Sequence, residues 1–135
     1  MENLVEVDAI LNSLIYIFSG ALYLAIFLWL YLKLTPYDDF KLIREGNSAA
    51  AISLTGALIG FVLPLSRAIE QSASLVELLI WALVTLITQT LVYLVMKKIF
   101  PNLVQQIPQN RNGEAIFLAG LSIAVGLLTA ASITG

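Results

Sequence analysis

Cysteine and histidine are both missing from the 135 residues. Their absence excludes disulfides, thiolate chemistry, Cys/His zinc sites, haem ligation by either residue and imidazole acid–base work. Charge is scarce as well: Asp, Glu, Lys and Arg make up 12% of the chain, about half the share of an ordinary soluble domain. With seven basic residues against nine acidic, nothing resembles the basic patch that nucleic-acid binding needs. No nucleophile motif, phosphate-binding glycine loop or metal-ligand cluster is present, so neither an enzyme nor a cofactor is expected. Asp38-Asp39 is an adjacent pair without the spaced oxygen ligands of a cation loop, and no metal is assigned to it.

What the chain does have is apolar length. Its apolar fraction is 59% and its mean hydropathy +0.91, against roughly 45–50% apolar content in soluble domains. A helix needs roughly 20 apolar residues to cross the hydrocarbon core. Four uncharged windows meet that length: Ala9–Leu32, Ser48–Ser66, Leu78–Met96 and Ala115–Gly135. The expected fold is an all-α integral membrane protein, one membrane domain over 1–135 with four transmembrane helices. A cleaved signal peptide is not expected at the first window, because the leader "MENLVEVD" carries Glu2, Glu6 and Asp8 and no basic residue.

Orientation follows from the basic residues. Lys33, Lys41 and Arg44 follow span one, and Lys97, Lys98 and Arg111 follow span three. Only Arg67 lies in the connection between spans two and three. This places loops 33–47 and 97–113 in the cytoplasm and both termini outside. Trp29, Tyr31 and Tyr93 sit near the inner ends of their spans, as an aromatic belt would have them.

The chain also matches itself at an offset of about 64 residues. Lys33 meets Lys97, Ala51 meets Ala115, Leu54 meets Leu118 and Gly56 meets Gly120; with one further residue of slip, Asn47 meets Asn112. The expected organisation is two tandem parallel-repeat helical hairpins, repeat one at about 9–66 and repeat two at about 75–135. Spans two and four are rich in small residues: Ala49, Ser53, Gly56 and Gly60 in one, Gly120, Ser122, Ala124, Gly126 and Ala130 in the other. In lipid, small residues let backbones approach, and van der Waals contact supplies the attraction. Spans two and four are therefore expected at the centre, with the bulkier spans one and three towards lipid.

The polar "EGN" leading into "AAAISLTGALIGFVLPL", with its later echo "NRNGEAIFLAGLSIAVGLLTAASI", resembles the YjfL-like family of bacterial inner-membrane proteins, over nearly the whole chain. The resemblance implies an inner-membrane protein and brings no activity with it.

The remaining polar residues carry paired readings. Asn47 and Asn112 are expected to cap the helices that follow them, with solute contact the alternative. Glu114 complements the positive end of a helix dipole or marks a cation or proton site. Thr85, Thr88 and Gln89 share a helical face deep in span three; they glue helices together or, with Glu114, line a polar path. Arg67 and Glu70 are expected to pair at the outer surface. Pro64 is expected to kink or end span two. The connections "TPYDDFKLIREGN" and "FPNLVQQIPQN" are expected to form short helices at the membrane surface. Two functions stay open at this point. One is a structural or accessory membrane component that self-associates or supports a membrane-protein partner in the bilayer. The other is an oligomeric small-solute or ion channel or transporter.

Overall fold

The computed structural model describes residues 2–133. Among them the chain forms six helices and no strand: α1 (Glu2–Leu34), α2 (Asp39–Arg44), α3 (Ser48–Gln71), α4 (Leu75–Ile99), α5 (Leu103–Gln106) and α6 (Asn112–Ser132). The helices α1, α3, α4 and α6 are each long and apolar enough to cross a membrane. The short helices α2 and α5 lie in the two connections where surface helices were expected. The two C-terminal residues of the fourth window lie outside the described residues.

The long helices outrun the uncharged windows. α1 begins seven residues before Ala9, because Glu6 and Asp8 interrupt hydropathy but not helix geometry. Its 33 residues would extend ~50 Å at the usual rise, more than the hydrocarbon thickness of about 30 Å. α3 continues through Pro64 to Gln71, so the proline does not end this helix. Arg67 and Glu70 then pair at 3.5 Å on its last turns. α4 starts at a Ser74 cap, whose hydroxyl accepts from the Glu77 N–H, while the Glu77 carboxylate accepts from the Ala73 N–H. That reciprocal arrangement is close to a capping box.

α3 and α6 run side by side in the same direction, and theirs is by far the most extensive contact in the molecule. α3 is the most buried span and α1 the least. α1 touches the bundle mainly through its second half, where the Phe27 and Phe61 rings stack with centroids 4.5 Å apart. Its first half presents Leu4, Val5, Ile10, Leu11 and Phe18 outward. The expectation of two central small-residue helices holds for α3. α6 is buried on one face only, through Ala115, Leu118, Ala119, Ser122 and Gly126.

Candidate functional site

Both connections end in the same way. After α2, the Gly46 N–H donates to the Ile43 carbonyl and the Asn47 N–H to the Leu42 carbonyl. After α5, the Asn110 N–H donates to Ile107 and the Arg111 N–H to Gln106. Each pair of bonds is a Schellman termination, which needs a left-handed residue at its turn. Gly46 supplies one with φ 89° and Asn110 the other with φ 60°; asparagine is among the few side chains that tolerate that region.

This geometry sets the true partner of Asn47. Asn47 caps α3, its Oδ1 accepting from the Ala50 N–H at 2.8 Å. Its amide donates to the Ile107 and Pro108 carbonyls at 2.9 and 3.2 Å, tying α3 to the far connection. The residue that caps α6 in the same position is Arg111, with no side-chain cap bond. The expected cap at Asn112 is thus corrected: Asn112 is the first helical residue, and its Oδ1 faces the Ser48 hydroxyl at 3.0 Å. α3 has a second cap, from a residue far away in the sequence. Asn110 Oδ1 accepts from the N–H groups of Ser48 and Ala49, at 2.8 and 3.1 Å. The QN dipeptide after Pro108 gives a turn signal, but nothing local says that its side chain reaches a helix 60 residues away.

Deeper in the bundle, α3 and α6 approach to backbone contact. A methyl group at Gly60 would lie 2.4 Å from the Ser122 carbonyl oxygen, and one at Gly126 would lie 2.4 Å from the Gly60 oxygen. Gly56 sits against Ala119 in the same manner. Ala49, Ser53, Gly56 and Gly60 are buried on α3, and Ala115, Ala119, Ser122 and Gly126 on α6. The spacings along the two stripes are identical. Gly120 and Ala124, expected on the packing face, are corrected to the outward face of α6; a methyl at Gly120 would meet open space. Ala130 is half-buried. Two small-residue stripes run along this helix, and only one of them meets α3.

Gln89 lies at this crossing. Pro64 has no N–H, so the Gly60 carbonyl four residues earlier has no donor in its own helix. Gln89 Nε2 supplies one at 3.0 Å and also donates to the Ser122 carbonyl at 3.2 Å. One side chain on α4 therefore joins α3 and α6. Of its expected companions, Thr85 is buried but bonds its own helix at Trp81. Thr88 bonds Val84 and is only half-buried. Glu114 lies in the first turn of α6, about two turns or ~12 Å from Ser122 along that helix. The four are not brought together.

A different polar cluster forms at the end of the bundle that carries α2 and α5. Asp39 is 1% exposed, and Tyr31 and Tyr93 are 4% and 1% exposed. The Tyr31 and Tyr93 rings meet edge to face at 5.5 Å. The Thr35 hydroxyl donates to Asp39 Oδ2. Asp39 Oδ1 and the hydroxyls of Tyr31, Tyr37 and Tyr93 are buried without a hydrogen-bond partner in the protein. The carboxyl is within electrostatic reach of all three phenols. Burial pushes the Asp39 carboxyl above the usual carboxylate range, opposed by the Thr35 hydrogen bond. Burial likewise raises the Tyr37 phenol. The adjacent carboxylates Asp38 and Asp39 part company: Asp39 turns inward while Asp38 stays outside and caps α2.

The family model described as Domain of Unknown Function (DUF350) matches residues 4–133, almost the whole chain. The chain belongs to this family. It is 32% identical over 127 residues to the UPF0719 inner membrane protein YjfL of Escherichia coli K12, covering 94% of this chain and 96% of the relative. It is also 26% identical over 127 residues to the UPF0719 transmembrane protein YshE of Bacillus subtilis 168, covering 93% and 90%. No solved structure matches it. Together with the four apolar helices, family membership makes this an all-α integral membrane protein, as the residues at 45–65 and 110–133 suggested.

Proposed function

We propose that this member of the family is a non-catalytic component of the bacterial inner membrane that assembles with copies of itself or with another membrane protein. The observation that carries the reading is the unused stripe on α6. Gly120 and Ala124 lie on its outer face, and the space beside Gly120 is open. In lipid such a surface suits close approach by a further helix. Cysteines placed at 120 or 124 in this cysteine-free chain should cross-link between copies in native membranes. A cysteine at Leu83, on the exposed side of α4, should not. Equal cross-linking at all three positions would overturn the assignment of the α6 face, and none at 120 or 124 would point to a different partner.

The transport reading is second. Gln89 spends both amide protons on backbone carbonyls, and Thr85 and Thr88 bond their own helix, which favours stitching over the lining of a path. We infer further that the α2/α5 end is cytoplasmic, from Lys33, Lys41, Arg44, Lys97, Lys98 and Arg111 around it. The matched Schellman terminations 64 residues apart support an origin by duplication of a two-span hairpin.

A further inference from the structure

A buried carboxylate without a countercharge is costly, and Asp39 has none: among the described residues the one ion pair is Arg67–Glu70, on another part of the molecule. Four oxygens in its cluster make no hydrogen bond within 3.5 Å in the protein: Asp39 Oδ1 and the Tyr31, Tyr37 and Tyr93 hydroxyls, with the Ser53 hydroxyl beside that of Tyr31. They come from four separate segments, namely α2, α1, the α1–α2 link and α4. Buried polar atoms are rarely left unpaired, and each such group calls for an explanation. A proton on Asp39 would satisfy one of the four. A cation bound by Asp39 and these hydroxyls would satisfy several together, since a phenol keeps its own proton while presenting a lone pair. Hard cations take oxygen ligands of this kind. With a single carboxylate the site supplies one negative charge, which matches a monovalent ion.

We propose that Asp39 and the hydroxyls of Tyr31, Tyr37 and Tyr93 form a binding site for one monovalent metal cation, sodium or potassium, at the α2/α5 end of the bundle. The titratable groups that bear on Asp39 are these three phenols and the neighbouring Asp38. A carboxylate must lose its proton to hold the ion, so protons compete with it, and cation binding weakens as the pH falls.

The test is thermal unfolding of the full chain in detergent, at constant ionic strength and mildly alkaline pH, while N-methylglucamine chloride is replaced stepwise by sodium or potassium chloride. A ligand of the folded state raises the melting temperature saturably. The expected result is such a rise with at least one of the two ions, weaker at acidic pH and absent in Asp39→Asn. Tyr37→Phe, which removes one hydroxyl at the link, should fold even if Asp39→Asn does not, and should shift the midpoint concentration roughly tenfold upward, equal to about 1.4 kcal/mol. A flat response in the wild type overturns the proposal. So does a rise that Asp39→Asn or Tyr37→Phe leaves unchanged. Stabilisation by acid alone, with indifference to both metal ions, would make the cluster a proton site and would also overturn it.

Discussion

α3 and α6 are built from nearly the same material and are used differently. Both start beside the same pair of connections, run in the same direction and present four small residues to each other at identical spacing. α3 is covered on a second side too, with Ala50, Leu54, Ala57, Phe61 and Leu65 packed towards the rest of the bundle. α6 leaves its second small stripe outside. If the two connections are aligned on their Schellman turns, Gly56 corresponds to Gly120, yet one is pressed against Ala119 and the other faces outward. Small residues on a membrane helix therefore permit close contact without saying which face receives it. The partner's position decides that, and for α3 it is set by the glycines and Gln89 at the crossing.

The largest expected effect contrasts the two glycine environments. Gly60→Val places atoms where the Ser122 carbonyl and Gln89 already are, and should destabilise the chain by about 3 kcal/mol, at the upper end for overpacking. Gly120→Val should change the stability of the isolated chain by less than about 0.5 kcal/mol. Unfolding titrations in mixed micelles would measure both, and equal losses would break the distinction between the two stripes. Next in size is Gln89→Leu. It removes two interhelical hydrogen bonds and leaves the Gly60 carbonyl without a donor, a loss of about 0.6–1.7 kcal/mol on the scale measured for such contacts in membranes. The double variant Gln89→Leu with Pro64→Ala restores an N–H to α3 and should recover part of that loss. The helix starts give a third contrast: Asn47→Ala should cost about 1 kcal/mol as a lost cap, and Asn112→Ala less than about 0.5 kcal/mol.

The smallest effect is a slope. Asp39 in α2 stands where α5 has Leu103, both fully buried. Burial raises the Asp39 pKa on folding, so the folded chain holds a proton that the unfolded chain has released. Stability then declines as pH rises from about 4, the ordinary carboxylate value, through the raised one. Melting curves across that range, in buffer free of sodium and potassium, should show the decline in the wild type and lose it in Asp39→Asn. An unchanged slope in the variant would place the responsible group elsewhere.

Much of the fold was legible because hydropathy over 20 residues acts one helix at a time. The four spans, the two short connecting helices and the cap at Asn47 all depend on local chemistry. The misjudged features depend on chain segments far apart. Asn110 reaches α3 only because a left-handed residue turns the chain back over it. Asn112 failed as a cap because the equivalence of the two connections runs through backbone hydrogen bonds, not through matching letters. Asp39 and its three tyrosines meet across α1, α2 and α4, and their spacing in sequence follows no motif. The extra length of α1 was hidden by two carboxylates that matter to lipid and not to helix geometry. Gly120 and Ala124 were misplaced because a helix with small residues on two faces offers the same letters to both.

The proline at 64 has a bearing on how the protein is made. It takes from the Gly60 carbonyl the donor that the helix itself would supply, and the replacement comes from a side chain 29 residues further along. The ribosome must therefore deliver the third span to the membrane before the second has all its backbone groups paired. The Ser122 carbonyl that shares the same amide arrives later still. Insertion of α3 and its final seating are separate events in time, and any nascent chain halted after Gln71 carries an open carbonyl within the bilayer, a mark by which an unfinished molecule differs from a finished one.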